Sequence, residues 1–366
     1  MVTRRSALIG GGALAVTAGA ATLFELKRMG SMDEYNEAAA RIRATLKRNP
    51  ESLDYVRFAT LAASGHNTQP WHFHLRDNTI TIYPDLTRRT PVVDPDDHHL
   101  FISLGCAAEN LSLAATANGQ SGELRFEQSD GGSLAFAFGR GAAGPSSLCS
   151  AIPARQSTRS EYHGATIRAS DMTALTAAAT IPGVDVVILT GREQRRQVRD
   201  LVTAGNSAQM ADKAFVSELK SWLRFSPRDA AERGDGLFSA ASGNPALPKW
   251  LGPPLFDRVF KADAENKKYA RHIDSSPALV VFVAQREDPE HWVLVGRACQ
   301  RFALQATALG IRHAFINQPA EVAALRPTLA RLIGLPNRRP DLVMRFGYGP
   351  LLPYSARRPI QETILR

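Results

Sequence analysis

The sequence predicts an α+β fold built from two related halves, and three observations carry that expectation. First, two segments fall into register 191 positions apart, GCAAENLSLAATANG from Gly105 and GRACQRFALQATALG from Gly296, with Gly, Ala, Leu, the run Ala-Thr-Ala and the closing Gly in common. Both are apolar almost all round, with Gly where a helix would end, so both read as buried helices. Second, each follows strand-like sequence, HFHLRDNTITIYP before the first and PALVVFVAQ before the second, as an internal duplication requires. Third, 366 residues are too many for one ordinary core and suit two.

Taken in order, residues 1–30 begin MVTRRSALIGGGALAV, with Arg4 and Arg5 ahead of an uncharged run from Ser6 to Phe24. This pattern looks like a twin-arginine export signal or a short membrane anchor, placing the protein in the periplasm or on the membrane, with the twin-arginine export machinery as a partner. Residues 31–140 form the first half. They contain the stretch SGHNTQPW from Ser64, which concentrates hydrogen-bonding side chains ahead of alternating strand sequence. Residues 141–153, rich in Gly, Ala, Pro and Ser, suit a linker. The second half, 154–366, opens on RQSTRSEY from Arg155 and carries an insertion over about 206–272 with no counterpart in the first. Trp222, Phe225, Phe238 and Trp250 make that insertion too apolar for a free linker, so it is expected to pack over something as a lid.

Three of these motifs together resemble the nitroreductase superfamily, in the Acg-like, FMN-binding branch. SGHNTQPW resembles its flavin-contacting loop, RQSTRSEY its phosphate-binding Arg-x-Ser-x-Arg segment at a helix start, and VMRFGYGPLLPYSARRPIQETI its last strand and basic tail. The resemblance implies a nitroreductase-like fold with the two halves fused as an internal pseudo-dimer. It also implies a flavin-dependent oxidoreductase that passes two electrons to a small acceptor such as a nitroaromatic or quinone. The flavin N5 carries that chemistry, and no side chain is indispensable as acid or base. The motif order departs from the family, since the loop lies in the first half and the phosphate segment opens the second. RATLKRNP in the first half is a poor substitute for a phosphate segment, and so one flavin per monomeric chain is expected.

Physical chemistry favours FMN independently. A phosphate dianion is held well by paired arginines and a hydroxyl, which Arg155, Ser157 and Arg159 offer, with Arg357 and Arg358 able to close the other side. Ser64, Asn67 and Gln69, with His66 in the same loop, match a ring edge that alternates donors and acceptors. By the resemblance, Arg159 reaches the pyrimidine edge. Asn317 is either a ring contact or an ordinary loop cap. An FMN-storage protein with little turnover is the alternative function. An enzyme acting on its own flavin or on a halogenated aromatic is a third.

Other classes find less support. The net charge of +9 favours anionic ligands, yet the arginines are scattered and form no nucleic-acid module. Cys106, Cys149 and Cys299 show neither a disulfide framework nor a zinc spacing and are expected to be inert. His72 and His74 alternate along a strand without further ligands, so no metal is expected. No Gly-x-Gly-x-x-Gly follows a strand, which leaves the electron donor open.

Overall fold

The computed structural model describes residues 28–365, so the export signal expected over 1–30 lies almost wholly outside the described residues. Two four-stranded antiparallel sheets organise the chain. The first contains β1 (Trp71–Arg76), β2 (Thr79–Pro84), β3 (Gly122–Glu127) and β4 (Ser133–Phe138), in the order β1-β2-β4-β3. A two-residue parallel pair, β6 (Leu223–Arg224) with β7 (Leu237–Phe238), sits in the insertion. The second large sheet contains β5 (Val184–Leu189), β8 (Ala278–Ala284), β9 (Arg312–Phe315) and β10 (Leu342–Gly347), in the order β5-β8-β10-β9. Counted within each sheet, both orders read first, second, fourth, third. In both, one long helix connects the second strand to the third: His98–Ala117 in the first half and Pro289–Ala308 in the second.

These two central helices cross at the glycines that coincide in the sequence register. A methyl group on Gly105 would overlap the carbonyl oxygen of Val293, and one on Gly296 would overlap that of Ile102. Each carbonyl lies three residues before the partner glycine, so one contact is made twice with the helices exchanged, as across a two-fold axis. Polar contacts reinforce the crossing. Buried Glu109 accepts from Arg297 at 2.7 Å and Arg301 at 2.8 Å, and Gln300 donates to Asn110 at 2.7 Å. The first central helix is long and apolar enough to cross a membrane, but 78% of its most apolar window is buried, which marks it as a core helix.

β8 shows how a continuous apolar run serves two cores. All seven of its residues are buried. Ala278, Val280 and Phe282 face the central helices, while Leu279, Val281 and Val283 face a second core with Val198, Val202 and Ile273. Successive side chains alternate across a strand, so a strand covered on both faces loses polar alternation.

The insertion begins inside a helix, Arg192–Ala211, and continues through Lys213–Ser221, Pro227–Arg233, Gly252–Val259 and Ala262–Asp274. Residues of this segment line a cavity, but not the aromatics singled out from the sequence. Phe238 packs on Tyr35 outside it, Trp222 lies under the Arg88 and Arg224 guanidiniums, Phe225 rests on Gly252, and Trp250 is 59% exposed. Met210, Phe215, Leu219, Phe260 and Tyr269 line the cavity instead.

Candidate functional site

Three residues of the SGHNTQPW loop adopt positive φ without being glycine: His66 at 46°, Asn67 at 55° and Gln69 at 53°. Each such residue costs on the order of 1–3 kcal/mol and persists only where its surroundings over-determine it. Here the surroundings are the insertion and the C-terminal tail. Asn67 donates to the carbonyls of Gly236 and Ala356 at 3.1 Å each, and its Oδ1 accepts from Arg357 at 2.9 Å. Gln69 donates to the Gly234 carbonyl at 2.7 Å, and its Oε1 accepts from the Arg358 amide at 3.0 Å. Asp235, between those glycines, is ion-paired to Arg88 and Arg224.

The expectation that Asn67 and Gln69 read a ring edge is therefore corrected. Both are buried, both are satisfied by protein partners, and neither lines the cavity. Arg357 and Arg358 likewise serve the protein first. Arg357 donates to the carbonyls of Thr60, Leu61 and Ala62, which end the helix Ser52–Thr60, and Arg358 donates to the carbonyls of Gln69 and Glu362. Of the loop, Ser64 and His66 reach the cavity.

The cavity offers about 210 Å³ of solvent-accessible space. Arg159 enters it without a hydrogen bond or ion pair among the described residues. Burial holds its pKa below the ordinary arginine range. His66 is pushed down to about 4 by burial, then by Arg159 and His99, so its imidazole is neutral near pH 7. Asn317 lines the cavity too, yet its Oδ1 accepts from the Val343 amide at 2.9 Å, so it also caps the start of β10. Burial raises the pKa of Glu321, whose carboxylate accepts from Gln209 at 2.6 Å.

The segment Arg155–Arg159 is extended, not a helix start. Thr158 donates to the His313 carbonyl at 2.8 Å, and Ser157 forms a parallel bridge with His313. In an extended segment residues 155, 157 and 159 share one side, and the four steps from Arg155 to Arg159 span about 13 Å. Arg345, fully buried in mid-strand β10, holds this segment by donating to the Ser160 carbonyl at 2.8 Å while stacking on Tyr162.

At the far end of the segment lies a group of buried guanidiniums. Arg155 and Arg357 both donate to the Leu61 carbonyl, at 3.2 and 3.1 Å, and Arg43 donates to the carbonyls of Pro153 at 2.9 Å and Arg155 at 3.3 Å. None of the three has a carboxylate within ion-pair distance among the described residues. Arg43 Nε, Arg155 Nε and Nη1, and Ser157 Oγ are buried without partners. Burial, then the neighbouring Arg155, lowers Arg43 to about 9. Arg43 opens RATLKRNP, which the sequence offered only as a poor substitute for a phosphate segment, so its place beside Arg155 was missed.

Clusters of carboxylate and imidazole occur at Asp94, His98 and His99 and at Asp288, Glu290 and His291. Several of their ligand atoms already serve the fold. Asp94 accepts from the His99 and Leu100 amides, His98 is bonded to Asp341 at 2.6 Å, and Asp288 accepts from the His291 amide and ring.

Two buried histidines make acid stability a test of the site's electrostatics. Burial, then neighbouring arginines, holds His313 and His272 at about 3. The unfolded chain takes up these protons near pH 6.5 while the folded chain does not, so stability present above pH 6.5 is lost as pH falls towards 3. In urea titrations from pH 7 to 4, His313→Gln is expected to show a pH slope shallower than the parent's by about one proton. An unchanged slope would mean that His313 is already charged in the folded state.

Two antiparallel sheets of the same strand order, crossed central helices and a cavity lined by Arg159 define an α+β protein with a cationic pocket. The model of the family described as "Nitroreductase family" matches residues 152–348, just over half the chain, and the chain belongs to that family. Two relatives come from Mycobacterium tuberculosis. One, named "Putative NAD(P)H nitroreductase Rv3131", is 23% identical over 324 residues, covering 84% of this chain and 89% of the relative. The other, named with the same words and the designation acg, is 22% identical over 320 residues, covering 84% and 93%. Among solved structures, the FMN-dependent nitroreductase NfnB from Mycobacterium smegmatis in complex with NADPH aligns at TM-score 0.40 and 16% identity, over 59% of this chain and 96% of that one. A Bacteroides fragilis nitroreductase with bound FMN aligns at 0.37 and 17%, over 58% and 96%.

Proposed function

We propose that the protein is an FMN-dependent oxidoreductase that passes two electrons to a small acceptor such as a nitroaromatic or quinone. One observation carries the reading: three guanidiniums, Arg43, Arg155 and Arg357, lie together in the interior with no carboxylate in ion-pair reach among the described residues, and Arg43 and Arg155 have donors unspent. Like charges buried together are costly, and a phosphate dianion would offset that cost while satisfying Arg155, Arg43 and the Ser157 hydroxyl. The extended segment then leads from this cluster to the cavity where Arg159 waits, a span suited to a mononucleotide laid out from phosphate to ring.

Bound there, the flavin would supply the redox chemistry. Arg159 would face the ring as an unpaired cation, neutral His66 and Ser64 would offer hydrogen bonds, and the apolar cover of Phe215 and Phe260 would exclude water. We further read the two halves as an internal duplication with a single composite site, and residues 1–30 as a twin-arginine signal that exports the folded, loaded monomer. Replacing Arg4 and Arg5 by Lys should then leave a flavin-loaded protein in the cytoplasm.

Purified protein is expected to be yellow and to release one FMN, not FAD, per chain on denaturation. Two flavins per chain would remove the composite site. In the same assay series, Arg159→Gln is expected to lower the flavin midpoint potential with modest loss of affinity, because a cation beside the ring favours its anionic reduced form. An unchanged potential would reassign Arg159 to the phosphate. The storage reading draws support from the ion pairs of Asp235 that tie the insertion down. Rapid anaerobic bleaching of the bound flavin by NADH or NADPH would exclude it.

A further inference from the structure

One part of the cavity lining lies outside the flavin-like motifs and offers acceptors that lack donors. Gln318 and Glu321 stand three apart on the short helix Gln318–Glu321, so they share a face, and both line the cavity. Gln318 is only 8% exposed, yet its Oε1 has no hydrogen-bond partner among the described residues. The Glu321 carboxylate accepts from Gln209 at 2.6 Å and has no ion pair among the described residues, although its two oxygens offer about four lone-pair sites. This short helix is held from several directions. Asn317 Oδ1 accepts from the Val343 amide ahead of it, and Arg326 donates to the carbonyls of Ala320 at 2.7 Å and Glu321 at 3.3 Å. A methyl group on Gly205 would come within 2.8 Å of Gln318 Cβ, so the helix Arg192–Ala211 presses on that residue. The acceptors therefore have little freedom to withdraw. Buried acceptors left unmet are costly, and a ligand that brings N–H groups offsets the cost. Phe215, Phe260, Met210 and Leu219 line the same cavity and suit an apolar ring.

We propose that Gln318 and Glu321 form a subsite that selects an aromatic electron acceptor bearing an N–H donor, a primary carboxamide or an amine, over the same ring without one. That the ligand accepts electrons rests on the flavin reading above; the demand for an N–H donor does not. A primary carboxamide supplies two N–H bonds from one nitrogen, one for Gln318 Oε1 and one for the Glu321 carboxylate, while the apolar lining covers the ring. An ester of similar shape brings lone pairs where donors are needed. Both acceptors then stay unmet, and discrimination follows from that unpaired state, not from ligand size.

The test measures equilibrium binding by calorimetry to the full chain as purified, with para-nitrobenzamide, para-nitrobenzylamine and methyl para-nitrobenzoate as probes. The amide or the amine is expected to bind about tenfold or more tightly than the ester, and the tighter of the two tells whether a neutral amide or an ammonium group is the better fit. In Gln318→Met, which keeps the length of the side chain and removes its acceptor, that margin is expected to vanish through weaker binding of the N–H probe. Glu321→Gln, which removes the charge, should cost the amine more than the amide. An ester bound by the parent as tightly as both N–H probes overturns the proposal, as does a margin that survives Gln318→Met or the failure of all three probes to bind. The comparison in the parent needs no variant. A chain that carries no FMN and still prefers the N–H probes would overturn the flavin reading and leave the subsite standing, whereas a flavin-loaded chain without the preference would do the reverse.

Discussion

Replacing Arg155 by glutamine is expected to move the flavin-free and flavin-loaded protein in opposite directions. Without ligand, Arg155 is a buried guanidinium with two unspent donors beside Arg43 and Arg357. Unsatisfied buried groups of this kind cost roughly 1–3 kcal/mol each, so the neutral variant should unfold at higher urea than the flavin-free parent. With ligand, the variant loses a charge-assisted hydrogen bond of about 1.5–3 kcal/mol, roughly 10-fold to 150-fold in FMN affinity. Urea midpoints with and without saturating FMN read both effects in one series. Loss of stability in both states by the same amount would show that Arg155 only supports the fold, through its bond to the Leu61 carbonyl.

The second large effect is expected at the helix crossing. Alanine at Gly105 or Gly296 would drive a methyl group into a backbone carbonyl of the facing helix, which no side-chain rotation relieves. Overpacking a well-packed core costs about 1–3 kcal/mol, and more where the backbone itself must shift, so each variant should lose about 3 kcal/mol or fail to fold. Because one outward movement makes room for both methyl groups, the double variant should lose far less than the sum of the singles. Losses below roughly 0.5 kcal/mol, or strict additivity, would mean that the helices do not meet there as described.

How much of this was legible in the sequence follows from what each residue reports about its surroundings. The central helices and the all-apolar β8 were legible because burial dictates their composition directly. The coincident glycines Gly105 and Gly296 were visible as a register match, but nothing in the sequence said that the two helices approach each other there. SGHNTQPW stood out in the sequence, but its partners could not be read from it. An amide satisfies a ring edge and a distant carbonyl equally well, and the groups it meets at Gly234, Gly236 and the tail lie far along the chain. The shape of Arg155–Arg159 was misread for a related reason. Its extended form comes from pairing with His313, more than 150 residues away, which outweighs any local preference for a helix start. Arg43 was passed over with RATLKRNP, set aside as a poor phosphate segment, since a buried arginine and an exposed one look alike at the end of a polar helix. Arg345 had one, a lone cation within LVMRFG.

The knot among Asn67, Gln69, Arg357 and Arg358 also sets an order of events during biosynthesis. Asn67 bonds to residues 289 and 290 positions later, so the loop that borders the cavity lacks its partners at Ala356 and Arg357 until that distant segment has been made. Its left-handed backbone, costly in isolation, would remain unformed on a nascent chain, and the Arg357 side of the phosphate cluster would be missing. Cofactor capture would therefore follow synthesis of the segment around Arg357, and a chain cut before residue 356 should be made in full amount yet never acquire colour.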